Sequence, residues 1–290
     1  MKHSFRTLLG GLIGLGFVAV GARRRAVRAY DCTGRVLALY GHDPRPWVLE
    51  GVLGWLKRAG FSFVSTDELL AMQSGELPWR PRTVWLSFDD GWAGFEADLL
   101  PILEKYQAAA TIFVAPGETA RGQVWTNSIS SVVPPEEISR LYGLAAEMRY
   151  AAVDAVLARI GNPRRLASEA ELRRLAKHPL VTLENHTYSH LSCAHRPVAE
   201  VMAEVQKTQV LLKEWTGRVP RLCCYPFGHF TDETDEALRA EGLTPIHSVP
   251  GRMNLKTIGG FRNLFRDEVG GLENIGRVLG AWVPVRNRRG

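Results

Sequence analysis

Two short segments hold most of the side chains able to do chemistry. Asp89 and Asp90 stand side by side between an apolar run, Thr83-Val84-Trp85-Leu86-Ser87-Phe88, and Gly91. Adjacent carboxylates at a strand end repel each other unless a cation or a proton relieves them. A helix cap with a second, exposed acid is the other reading of such a pair. His186 and His190 are four residues apart in His186-Thr187-Tyr188-Ser189-His190. In a helical or turn segment that spacing puts both imidazoles on one face, where they can chelate a metal; surface pairs of the same spacing also arise by accident. Together the two segments are more specific. One carboxylate and two neutral imidazoles, with open positions for water, form a site for Zn2+ or another divalent metal. The second carboxylate is then available as a base toward water.

The elements that must position these residues alternate along the chain. Residues 36–40 read as a buried strand and 47–59 as an amphipathic helix ending at Gly60. A short strand over 61–64 precedes a helix through Met72, capped by Thr66 with Asp67 and Glu68 in its first turn. The strand over 83–88 runs directly into Asp89-Asp90-Gly91, followed by a helix over 96–106 and a strand over 109–114. Residues 117–163 depart from this rhythm as a helical insertion. Pro134-Pro135-Glu136-Glu137 opens one long helical pattern that continues to Ile160 and stops at Gly161-Asn162-Pro163. Ser168 caps the next helix; a strand over 181–183, a helix over 198–215, a strand over 222–225, a helix over 231–240 and a strand over 245–249 complete the series. Such alternation implies an α/β fold with a mainly parallel sheet and helices outside, closed as a barrel or open. Reactive residues in such folds lie at the carboxyl ends of strands, where both segments sit.

The charge is unevenly placed. The chain of 290 residues carries a formal net charge of +6, yet residues 1–29 hold Lys2, Arg6, Arg23, Arg24, Arg25 and Arg28 with no acid among them. The remainder has 30 basic and 30 acidic residues, so no basic groove for nucleic acid is expected. Within this leader the apolar stretch over 8–22 is short for a spanning helix and suits a signal-peptide core or an anchor. The expectation is a cell-envelope protein, membrane-anchored or exported, with a cytoplasmic protein as the alternative. The cysteines, Cys32, Cys193, Cys223 and Cys224, show no CxxC spacing, which argues against a cysteine-based zinc site.

Three ordered motifs resemble those of the NodB-homology polysaccharide deacetylases, carbohydrate esterase family 4. They are Leu86-Ser87-Phe88-Asp89-Asp90-Gly91, His186-Thr187-Tyr188-Ser189-His190 and Tyr225-Pro226-Phe227-Gly228. The approach to the first motif, with Ala59-Gly60-Phe61 and Thr66-Asp67-Glu68-Leu69, resembles the poly-β-1,6-N-acetylglucosamine deacetylases. The resemblance implies a distorted or incomplete (β/α) barrel spanning residues 30–290 as one catalytic domain behind the leader. It implies Asp90, His186 and His190 as metal ligands, Asp89 as general base, and Thr187 as support for the histidine loop. The backbone N–H of Phe227 would help hold the tetrahedral oxyanion. The implied reaction is metal-dependent hydrolysis of N-acetyl groups on an amino-sugar polysaccharide, releasing acetate. The metal is expected to be Zn2+, with Co2+, Ni2+ or Fe2+ as alternatives.

The match has gaps. Many family members carry an arginine two positions before the proline of the third motif; here that position is Cys224. The family's late Leu-x-His motif, source of the general acid, has no counterpart near the C-terminus. His247 is the expected substitute, with a structural histidine as the other reading, and His229 is a second candidate that could instead contact substrate. Arg262 falls where related proteins place a late arginine. Trp92 and Trp125 could stack on pyranose rings or serve as core packing. The competing functions are a metal-dependent amidase acting on a small non-carbohydrate substrate and a glycan-binding protein without turnover.

Overall fold

A computed structural model of the chain describes residues 30–31, 34–161, 165–248, 254–255 and 264–268. The leader and Arg262 lie outside the described residues. The chain divides into two compact units, one built from residues up to Ser87 with Ala97–Ala110 and the residues from Ser248 onward, the other from Phe88–Glu96 and Thr111–His247.

In the first unit β1 (Arg35–Gly41) lies beside β3 (Thr83–Asp89). The Ser87 hydroxyl donates to the Leu39 carbonyl at 3.3 Å. β2 (Ser62–Val64) runs parallel to β3 with Ser62 opposite Thr83. Helix α1 (Pro46–Arg58) starts with proline at its first turn, where no N–H is needed, and buries Val48, Leu49, Val52, Leu53 and Leu56 along one stripe. Each such side chain, fully buried, contributes about 1.5–3 kcal/mol. Helix α2 (Thr66–Ser74) is capped by Ser65, not by Thr66 as expected. The Ser65 side chain accepts from the Glu68 N–H while Glu68 accepts from the Ser65 N–H, so the reciprocal box fixes the start one residue earlier. The helix expected over 96–106 is a π-turn, Phe95–Leu99, followed by α3 (Leu100–Tyr106). Pro101 has no N–H with which to close an ordinary α turn there.

In the second unit β4 (Ala110–Val114), β5 (Val181–Asn185), β6 (Leu222–Cys224) and β7 (Thr244–His247) are neighbours in that order. Asn185 pairs with Cys223 and Cys224 with Ile246, both in parallel register. The parallel alignment brings the carboxyl ends of β5, β6 and β7 to one edge. Residues of β4 and β6 are buried throughout, which is why these strands read as unbroken apolar runs.

The segment expected as a helical insertion forms four helices, α4 (Pro116–Arg121), α5 (Trp125–Ile129), α6 (Pro135–Tyr142) and α7 (Ala146–Ile160). The single long helix expected over 134–160 is therefore broken. Gly143, a poor helix former, ends α6, and Ala145 is extended at ψ 154°. The break lets Tyr142 and α7 approach Trp125 separately; Trp125, Ile129, Leu141, Val153 and Leu157 form one apolar cluster. Helix α8 (Glu169–Leu175) carries the expected Ser168 cap, reciprocated by Glu171. Helices α9 (Val198–Thr216) and α10 (Asp232–Ala240) follow, packed on β5 and β7 respectively. No helix among the described residues is long and apolar enough to cross a membrane.

Candidate active site

The aspartate turn begins at the last residue of β3. Asp90 and Gly91 are both left-handed, at φ +73° and +71°, so the chain reverses immediately after Asp89. Aspartate is among the non-glycine residues that tolerate this region best. At Gly91 a Cβ would lie 3.3 Å from Leu172 Cδ2 in an unfavourable backbone conformation, so glycine is required. The turn is pinned from outside: the Ala167 N–H donates to the Gly91 carbonyl at 2.9 Å, and the Ala93 N–H to that of Arg165 at 2.8 Å. Both carboxylates are buried.

The histidine loop leaves β5 with the His186 N–H bonded to the Val114 carbonyl at 3.1 Å. The Asn185 side chain accepts from the Thr187 N–H at 2.9 Å and donates to the Val205 carbonyl at 2.9 Å. The Thr187 hydroxyl accepts from the Leu191 N–H at 3.2 Å, the support expected of it. The loop is not helical. Thr187 and His190 are left-handed at φ +59° and +50°, and this folding back brings the imidazoles together, with ring centroids 4.8 Å apart. Among the described residues six non-glycine residues have positive φ, and four of them are Asp90, Thr187, His190 and Phe227. Such conformations cost on the order of 1–3 kcal/mol each and persist only where the surroundings enforce them. The strain is therefore concentrated at this site.

Asp90 Oδ1 lies 3.3 Å from His190 Nε2 and 3.6 Å from His186 Nε2. The donor atoms of this buried trio are all within 4.8 Å of one another, the one such group among the described residues. Ligands about 2.1 Å from a tetrahedral ion lie about 3.4 Å apart, so these separations fit a divalent metal. Protonation fits as well. His186 Nδ1 is 2.8 Å from the Cys224 carbonyl; a carbonyl can only accept, so Nδ1 carries the proton and Nε2 presents its lone pair toward Asp90. Burial, seconded by His190, pushes the His186 imidazole down to about 4 against the opposing pull of Asp89 and Asp90. The ring is neutral and competent as a ligand at neutral pH. Cys224, where an arginine is common in the resembled family, thus serves through its backbone.

The third motif is the short turn Pro226–Gly228, with Phe227 left-handed at φ +61°. The Phe227 ring stands edge-on to His190 with centroids 4.5 Å apart, and it also contacts Tyr142, Trp125 and His229. Half-buried His229 places Nδ1 2.8 Å from the Ser192 hydroxyl, which lies 2.6 Å from His195 Nδ1. One hydroxyl proton cannot serve both rings, so at least one of these Nδ1 atoms donates. His229 is held below its ordinary range by burial and then by His195.

His247 ends β7 with Nε2 3.0 Å from Asp235 Oδ1, an oxygen that also accepts from the Tyr225 hydroxyl at 2.6 Å. Trp92 is half-buried and forms a backbone bridge to Leu166. Of the two readings offered for Trp125, core packing is the one that its burial favours. Trp125 is 1% exposed, which leaves no face on which a sugar could stack. Its indole N–H donates instead to the His190 carbonyl at 3.1 Å. Arg262 lies outside the described residues.

Three charged residues that the sequence did not single out surround the histidine loop. Arg149 of α7, fully buried, donates to the Ser189 carbonyl at 2.9 Å and to the Ser189 hydroxyl at 2.6 Å. Glu204 of α9 accepts from the Ser189 N–H at 2.9 Å and from its hydroxyl. Glu118 of α4 accepts from the Trp125 N–H at 2.7 Å and from the Tyr150 hydroxyl at 2.6 Å. Arg149 and Ser189 are 40 residues apart, Glu118 and Tyr150 are 32 apart, and Glu204 and Ser189 are 15 apart, so no local sequence signal marks them.

The geometry agrees with comparison to known proteins. The family profile described as polysaccharide deacetylase matches residues 78–246, over half of the chain. The protein YxkH of Bacillus subtilis (strain 168) is 21% identical over 193 residues, which cover 67% of this chain; the chain spans about half (54%) of the length of that relative. Among solved structures, IcaB from Ammonifex degensii is similar with a TM-score of 0.64 at 18% identity, over 87% of this chain and 98% of that one. The Streptococcus pyogenes deacetylase PplD, solved with acetate, is similar with a TM-score of 0.60 at 20% identity, over 84% of this chain and 98% of that one. These likenesses bear out the incomplete (β/α) barrel of the NodB-homology type expected from the sequence.

Proposed function

The chain belongs to the polysaccharide deacetylase family, and on that premise we propose that it hydrolyses N-acetyl groups of an amino-sugar polymer, releasing acetate and a free amine. The observation that carries this reading is the buried trio Asp90, His186 and His190 with a second carboxylate, Asp89, next to it in the chain. Acetate bound to the structurally similar PplD is the small product that such a reaction releases.

A divalent ion held by the trio supplies Lewis acidity toward the acetyl carbonyl and makes water a stronger nucleophile at neutral pH. We assign Zn2+; the donor set also accepts Co2+, Ni2+ or Fe2+. Asp89 takes a proton from the attacking water as its oxygen bonds to the acetyl carbon. The backbone N–H of Phe227 stabilises the negative charge that develops on the carbonyl oxygen. The turn bearing it is held by the Gly228 N–H on the Tyr225 carbonyl at 3.1 Å and the His229 N–H on that of Pro226 at 3.1 Å. The leaving nitrogen takes a proton as the C–N bond breaks; we keep His247, the donor expected from the sequence, for this role although its side chain is 1% exposed, with half-buried His229 as the second candidate. Trp92 and His229 are assigned to the flanking sugar units, and Arg262 to steadying the site. The substrate is proposed as a poly-β-1,6-N-acetylglucosamine-type exopolysaccharide at the cell envelope, with residues 1–29 as the anchor or export signal.

Acetate release from N-acetylglucosamine oligomers by Zn2+-reconstituted protein tests the proposal. Release that requires metal and vanishes in Asp89→Asn and His186→Ala supports it. Stoichiometric metal with no release above those variants points to another amide substrate or to glycan binding without turnover.

A further inference from the structure

The two imidazoles of the trio are held in different ways. The His186 ring is oriented through its own second nitrogen, by Nδ1 on the Cys224 carbonyl. His190 Nδ1 is buried and has no hydrogen-bond partner among the described residues. A metal-binding histidine is normally oriented by such a bond, so something else must direct His190 Nε2 toward Asp90. The backbone takes that part. Trp125 Nε1 donates to the His190 carbonyl at 3.1 Å, and Arg149 Nη2 donates to the preceding carbonyl, Ser189, at 2.9 Å. Two consecutive carbonyls of a left-handed turn are thus each fixed by a buried donor.

The donors are themselves fixed. Glu118 accepts from the Trp125 backbone N–H at 2.7 Å, and the Arg149 guanidinium lies 5.3 Å from the Trp125 ring centroid. These residues lie on helices of the insertion, which contributes no ligand to the trio.

We propose that Trp125 and Arg149 are positioning residues for His190, orienting its Nε2 toward Asp90 by pinning the Ser189 and His190 carbonyls. The insertion thereby sets the affinity and geometry of the metal site. The inference rests on the reading of Asp90, His186 and His190 as metal ligands, and it is tested without any substrate.

The measurement is Co2+ titration of the full apo chain, followed by visible d–d absorption and by competition with a chelator of known affinity. Trp125→Phe keeps an aromatic side chain in the apolar cluster but removes the N–H together with part of the indole; in variants that melt like the wild type it should weaken Co2+ binding about tenfold and alter the absorption band. Arg149→Met should weaken binding by roughly 10–100-fold, with Arg149→Lys, which can still donate to one carbonyl, falling between. Met148→Ala, at an exposed neighbour on the same helix, should leave both readouts unchanged. Thermal melts of the apo proteins identify the folded variants. Folded Trp125→Phe and Arg149→Met with wild-type affinity and spectrum would overturn the inference, as would affinity lost only in proportion to unfolded protein. A wild-type chain that binds no Co2+ would overturn the metal reading, and this inference with it.

Discussion

The carbonyl oxygen of Cys224 lies 2.8 Å from Nδ1 of His186, so a position usually associated with a functional side chain acts here through its main chain. Cys224→Ala keeps that carbonyl. It should retain stoichiometric metal and acetate release, at a stability cost of about 1 kcal/mol from the lost packing of a buried thiol. Cys224→Arg places a long cation where no space exists and should fold poorly. Metal analysis and a thermal melt of both variants check the pair of outcomes.

The two aspartates should separate cleanly. Asp90 Oδ1 faces both imidazole Nε2 atoms, so Asp90→Asn should lose most of its metal and, with it, activity. Asp89→Asn should keep the metal and lose about 10²–10⁴-fold in kcat, the usual contribution of a positioned base. Metal content measured beside acetate release distinguishes them. Equal metal loss in both variants would make Asp89 a ligand and remove the proposed base.

Glu118 provides a stability prediction with a definite sign. Burial pushes its carboxyl up from 4.5 to about 7, against the opposing effects of the Tyr150 hydroxyl, His190, Arg149 and the Trp125 N–H. The folded state therefore holds this proton more tightly than the unfolded chain. Between pH 4.5 and about 7 the unfolded state binds fewer protons, so this group's contribution to stability falls as pH rises and is fully adverse above 7. The span is on the order of 3 kcal/mol. Glu118→Gln should gain on the wild type from pH 5 to pH 8 by an amount of that order. Chemical denaturation of both proteins in chelator, across that range, reads the difference directly. A constant difference at every pH would show that Glu118 does not titrate there.

What was legible in the sequence, and what was not, divides by the range of the interactions involved. Asp89-Asp90-Gly91 and the pair His186 and His190 are read locally, because the chemistry needs those residue types close together at strand ends. The alternation of strands and helices is local as well, and most elements lie within a residue or two of their expected positions. Ser65 displaced Thr66 as a cap because both are good caps and only the reciprocal bond with Glu68 decides between them. The clamp on the histidine loop was invisible for a different reason. Arg149 meets Ser189 across 40 residues and Trp125 meets His190 across 65, distances at which no periodicity or motif carries information. Trp125 was left between two readings on the same ground, since an aromatic residue looks alike in sequence whether it stacks on a sugar or fills a core, and its burial decides for the core.

The pair His247 and Asp235 allows the assigned general acid to be tested apart from the metal. Burial raises the Asp235 carboxyl, but the bonds from His247 and Tyr225 outweigh it and hold the group below its ordinary 3.8. A depressed carboxyl contributes stability that is fully present above the unfolded value and is lost as pH falls through the folded one. Asp235→Asn should therefore flatten the acid limb of stability below pH 3.8 while leaving metal binding intact. His247→Asn should keep its metal and lose about 10²-fold or more in kcat, with the alkaline side of the pH–rate profile altered, as removal of a proton donor requires. His229→Ala should instead raise KM for longer oligomers with little change in kcat, consistent with a residue that contacts flanking sugars. The opposite pattern, with kcat lost in His229→Ala and kept in His247→Asn, would transfer the acid role to His229 and leave His247 as the partner that anchors Asp235.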